Sequence, residues 1–172
     1  MKKKPMLSSE VLEDLNRYPI DYKGFVVMSG DNGRGKSYVA RKIYQRVATF
    51  QLPARDYDEA WFINQAELNI LFAEHNEKYG SSSVLFKQMC DCKLFILDDL
   101  ATRTPSAAFL DLLYATIDWR WENRENLSTI ITTNKSSSDL RKIMGDAIVS
   151  RMCSGRNYKV VGPDHRTKNE AI

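Results

Sequence analysis

The sequence of 172 residues has no long apolar run. Stretches such as Phe25-Val26-Val27-Met28 are far too short to cross a bilayer as a helix. It has little net charge, +3, which permits nucleic-acid binding without requiring it. It has only three cysteines, Cys90, Cys92 and Cys153. An odd count without a spaced framework reads as free thiols of a reducing compartment. Cys90-x-Cys92 lacks a second ligand pair, and His75 and His165 are remote from it, which argues against structural zinc. No apolar segment follows Lys2-Lys3-Lys4, so the basic start is not read as a secretory leader. Its eight glycines and five prolines form no linker, and no solenoid period repeats, which predicts a single domain.

What is present is ordinary for a globular chain: 43% hydrophobic and 27% charged residues. Short β-rich apolar runs alternate with longer helical patterns, which predicts βαβ units and a parallel sheet. Strands are expected at Phe25–Ser29, Ala60–Ile63, Leu94–Leu97, Thr129–Thr132 and Tyr158–Val161. Helices are expected over residues 8–17, 36–49, 65–77, 82–90, 106–123 and 138–152. Val39, Ile43 and Val47 share one face of the second helix, as do Phe109, Leu112, Leu113, Thr116 and Ile117 on the fifth.

Gly30-Asp31-Asn32-Gly33-Arg34-Gly35-Lys36-Ser37 fits G-x-x-x-x-G-K-[ST], and Tyr38 follows it. A strand precedes it and an amphipathic helix succeeds it, the context that the motif needs. Glycines let the backbone curl so that its N–H groups face phosphate oxygens. The helix beginning near Lys36 adds its positive end. Lys36 is placed for the β- and γ-phosphates and Ser37 for Mg²⁺. Residues 30–38 are therefore the candidate ATP site. The third apolar run ends in Asp98-Asp99. Strand ends of a parallel sheet face the nucleotide, so Asp98 is a candidate Mg²⁺ ligand and Asp99 a candidate for polarising water.

The class of phosphate-loop protein follows in part. N-K-x-D is absent, because Ser137 stands where Asn134-Lys135 would need an Asp, and D-x-x-G is absent after Asp98. Both omissions exclude a GTPase. A small nucleotide or polynucleotide kinase stays open, although no Arg-rich lid is evident.

Three further segments narrow the choice: Thr132-Thr133-Asn134; Gly145-Asp146-Ala147-Ile148-Val149-Ser150-Arg151-Met152; and Tyr158–Gly162 followed by Asp164-His165-Arg166. Together with the phosphate loop they resemble the DnaC/IstB-like branch of the AAA+ ATPases over about residues 22–166. The resemblance implies an AAA+ core at 21–172 after a short extension at 1–20, with no C-terminal lid domain. It implies Asn134 as sensor 1 and Arg151 as an arginine finger that serves a neighbouring subunit, and hence an active homo-oligomer. Arg120 also matches a family arginine, without a role that can be assigned. The resemblance further implies a single-stranded DNA path over about residues 65–90, with Phe72, Lys78, Tyr79 and Lys87 as candidate contacts. Core packing is the competing reading for Phe72. The implied setting is the cytoplasm of a bacterial or phage-infected cell, with a replicative helicase or a transposase as partner. A minimal helicase loader and a transposition helper both fit, as does a binding-only switch. The Asp-Asp ending, where the family more often has Asp-Glu, predicts slow hydrolysis in isolation.

Overall fold

A strand that is apolar along its whole length needs cover on both faces. The computed structural model, which describes residues 5–16, 23–50, 60–79 and 83–165, provides that cover. The chain begins with β1 (Pro5–Leu7), α1 (Ser8–Asn16), β2 (Gly24–Ser29), α2 (Lys36–Phe50), β3 (Ala60–Asn64), α3 (Gln65–Tyr79) and α4 (Ser83–Asp91). It continues with β4 (Leu94–Leu100), α5 (Ala107–Glu122), β5 (Ser128–Thr133), α6 (Ser137–Met144), α7 (Asp146–Met152) and β6 (Arg156–Val161). The strands form one six-stranded sheet in the order β1-β6-β2-β5-β4-β3. Every pairing in it is parallel, as the alternation of elements predicts.

Alternate residues of each central strand feed two separate cores. Phe25, Val27, Phe95, Leu97 and Ile131 pack with α5, α6 and α7 on one face. Val26, Met28, Ile96, Ile130 and Tyr158 pack with α1 and α2 on the other. The inward stripe of α5 is buried as its spacing predicts, and Ser106 caps that helix by accepting the Phe109 N–H.

Three boundaries differ from the sequence reading. The expected helix over 138–152 is two helices. Gly145, at φ +86°, ends α6 and precedes α7. Its N–H still reaches the Arg141 carbonyl, so the chain bends at the one residue that tolerates this conformation. β4 does not stop at Leu97 but carries both aspartates on to Leu100. Finally, Pro5–Leu7 adds an edge strand against β6 that three residues of sequence could not announce.

α1 is fastened where it matters for the site. The Tyr158 hydroxyl donates to Asp14 at 2.6 Å, and Arg46 donates to the Asn16 side chain at 2.8 Å. Burial, followed by the Asp14 carboxylate, pushes the Tyr158 phenol well above its usual value.

Candidate functional site

Gly30–Ser37 leaves β2 and turns into α2, and glycine is needed there for room as well as for turning. A Cβ on Gly30 would overlap the Val160 carbonyl, and one on Gly33, at φ +73°, would overlap the Asp164 carboxylate. Lys36 is buried in the loop, with its Nζ donating to the carbonyls of Gly30 and Asp31 at 2.8 Å each. The loop therefore wraps a cation at the start of a helix, which is an anion-binding arrangement. A cavity of about 200 Å³ lies here, lined by Asn32, Gly33, Lys36, Ser37 and Asp99 among others. A second cavity of about 650 Å³ adjoins it, between α1 and the loop.

The order of strands assembles the rest. β5 lies between β2 and β4, so Asn134 emerges between the phosphate loop and the acidic pair. Asn134 Nδ2 donates to Asn32 Oδ1 at 3.4 Å, and its own buried Oδ1 has no hydrogen-bond partner among the described residues. Asp98 is buried and accepts the Thr132 hydroxyl at 2.5 Å. The same hydroxyl oxygen accepts the Asp99 N–H at 2.9 Å. Thr132 thus fixes both acidic residues from the neighbouring strand.

Pairing between β4 and β5 is irregular from Leu97 to Leu100. Asp99 (φ 56°) and Ala101 (φ 62°) are both left-handed, a region that costs a non-glycine residue about 1–2 kcal/mol. Tertiary bonds hold this bend. Gln65 accepts the Ala101 N–H at 2.5 Å and donates to the Arg103 carbonyl at 3.1 Å, and Thr133 donates to the Leu100 carbonyl at 2.7 Å. Strain of this kind concentrates at working sites. Thr132→Val keeps the shape but strands a buried carboxylate and an amide. It should lower unfolding free energy by about 2 kcal/mol in a urea titration; a change under about 0.5 kcal/mol would show that the hydroxyl does not carry the pair.

Arg151 is on α7 and is not among the residues lining the phosphate cavity. It pairs with Asp118 at 2.9 Å, donates to the Tyr114 hydroxyl at 3.1 Å and stacks near the Tyr114 and Trp121 rings. The DNA candidates stand on α3 and α4, on the β3 side of the sheet. Phe72 packs edge-on against Phe109 with ring centroids 5.9 Å apart, so its contact is with the core. Lys78 and Lys87 are exposed. The side chain of Tyr79 and the whole of Arg166 lie outside the described residues. The sequence used Thr132 only as part of a family segment and passed over Gln65; their hold on the acidic strand end is a tertiary contact that a strand threonine and a helix-start glutamine do not announce.

Two features bear on cofactors. Among the described residues, no cluster of three or more His, Cys, Asp or Glu side chains could hold a metal alone. Ser37 lines the phosphate cavity, and Asp98 is buried beside Asp99, which also lines it; an Mg²⁺ shared with phosphate keeps water and phosphate ligands and takes one or two from protein. No helix of the described residues is long and apolar enough to cross a membrane.

Comparison with known proteins bears on the family and the fold. The sequence profile of the family described as IstB-like ATP binding protein matches residues 6–156. No functionally curated protein is significantly similar in sequence. Among solved structures, the DnaC helicase loader superposes with TM-score 0.70 at 20% identity, covering 94% of each chain. AMPPCP-bound DnaA from Aquifex aeolicus gives 0.72 at 15% identity over 93% of this chain. The replication initiator DnaA bound to AMPPCP and single-stranded DNA gives 0.74 at 14% identity over 91% of it. The chain spans about half of those two DnaA structures, 48% and 46%.

Proposed function

Given that the chain belongs to the IstB-like ATP-binding proteins of the AAA+ class, we propose that it is an ATPase that works on DNA during replication, as a minimal helicase loader of a phage or plasmid type. The observation that carries the reading is the convergence of one phosphate loop, one acidic strand end and Asn134 at the same end of the sheet. Lys36 and the loop N–H groups bind and orient the polyphosphate. Ser37 and Asp98 would hold Mg²⁺, which when bound offsets phosphate charge. Asp99 faces the cavity and orients the attacking water, and Asn134 helps to place it.

Arg151 serves a neighbouring copy in this reading, because its half-exposed guanidinium is outside the chain's own phosphate cavity. A single chain then binds ATP and turns it over slowly. The resemblance also admits a transposition helper, with a transposase as partner in place of the helicase.

Single-stranded DNA binding rests on the family resemblance, in which Lys78, Tyr79 and Lys87 are candidate contacts; Lys78 and Lys87 are exposed and could meet phosphates. Fluorescence anisotropy of a labelled oligonucleotide, with and without AMPPCP and Mg²⁺, tests it. Binding should need the nucleotide, weaken as salt rises, and fall when Lys78 and Lys87 are both replaced by alanine. No binding at low salt with nucleotide present would overturn the DNA reading.

A further inference from the structure

The 200 Å³ cavity in the phosphate loop can take a polyphosphate but is small for a whole nucleotide. The adjoining 650 Å³ cavity is within the usual size range of small-ligand sites. The two share Gly35, Tyr38 and His165 as walls. A ligand held by its phosphates at Lys36 and reaching into the larger space therefore passes these three residues. Gly35 offers only backbone, so the side chains at the passage are Tyr38 and His165.

His165 is brought there by a short strap after β6, residues 162–165, which is tied to the phosphate loop. The His165 N–H donates to the Gly33 carbonyl at 3.0 Å. Arg34 donates to the Gly162 carbonyl. Asp164 fills the space that a side chain at Gly33 would need, and the His165 ring lies 3.7 Å from where a Gly35 side chain would begin. Tyr38 is 54% exposed on the first turn of α2 and borders both cavities, with the Lys42 ammonium 5.6 Å from its ring centroid.

We propose that His165 is a nucleotide-contacting residue which, opposite Tyr38, grips the nucleoside half of ATP. This rests on the ATP reading above. An imidazole supplies what that half requires: a flat face for a purine and ring nitrogens for ribose hydroxyls. The strap makes the grip depend on the loop's shape, because the His165 N–H and the Gly162 carbonyl bond to Gly33 and Arg34.

The test is calorimetric titration with MgATP and, separately, with inorganic tripolyphosphate, which has the phosphates and no nucleoside. The wild-type chain should bind ATP more tightly. His165→Ala and Tyr38→Ala should each weaken ATP about 10-fold, the loss of roughly one favourable contact, while leaving tripolyphosphate within about twofold. His165 is exposed, and a thermal melt without ligand confirms that each variant is folded. Unchanged ATP affinity in His165→Ala overturns the proposal. Equal losses for both ligands also overturn it, since the strap would then only shape the phosphate loop. Equal affinity of the wild-type chain for both ligands overturns the nucleoside grip and leaves the phosphate site standing. If the wild-type chain binds neither, the ATP reading itself falls and takes the proposal with it.

Discussion

Lys36→Ala should lower affinity for MgATP by about 100-fold or more, with the fold retained. The ammonium is the one buried cation of the loop, and it is already held by the Gly30 and Asp31 carbonyls at the start of α2. Each hydrogen bond from a charged group is worth about 1.5–3 kcal/mol. Two lost bonds to phosphate therefore exceed the 2.7 kcal/mol or so that corresponds to 100-fold. Gly30 is only half-buried and Asp31 is exposed, so water can reach the carbonyls left behind and stability should change little. Titration of both proteins with a fluorescent ATP analogue measures the difference. Equal affinities would mean that the loop is a glycine-rich turn and not a phosphate site.

The second large effect concerns Arg120, whose role could not be assigned from sequence. The structure buries it completely. Among the described residues its partners are carbonyls, a hydroxyl and a thiol, with no carboxylate. Nη1 donates to the Met89 and Cys92 carbonyls at 2.8 and 2.9 Å, Nη2 to the Ser128 carbonyl at 2.6 Å, and Nε to the Thr129 hydroxyl at 2.7 Å. Met89 lies in the last turn of α4 and Cys92 just beyond it, so the guanidinium sits at the negative end of that helix and satisfies carbonyls the helix cannot.

The same burial acts on the charges around it. It lowers the Arg120 pKa and pushes the Cys90 thiol up to about 12, keeping Cys90 protonated and inert. Arg120→Met would strand three buried carbonyls at once. At about 1–3 kcal/mol each, partly offset by the apolar side chain, the expected loss is about 4 kcal/mol in urea unfolding. That corresponds to a fall in melting temperature of roughly 8–16 °C. Arg120→Lys, which keeps a charge but fewer donors, should lie between. A loss under about 1 kcal/mol would show that the carbonyls find other partners.

The phosphate loop was legible because its chemistry is linear: every residue of the motif is adjacent in sequence. The central strands were legible because burial on both faces makes them unbroken apolar runs. The break at Gly145 was not, since Leu140, Met144, Ile148 and Met152 keep helical spacing across it. The extension of β4 through Asp98-Asp99 was hidden because two carboxylates look like the end of a strand. In the fold, Thr132 from β5 bonds to both. The strap on the loop and the α4 side of the Arg120 seat are tertiary facts, made of partners 128 and 28 residues away. No pattern in a single sequence encodes such distances.

If one site, completed by a neighbouring copy and by DNA, breaks down ATP, phosphate release measured across protein concentration, with and without single-stranded DNA, should show it. The expected rate per subunit rises with concentration and again with DNA. A flat rate would contradict it, as would phosphate that appears only on a supplied hydroxyl acceptor.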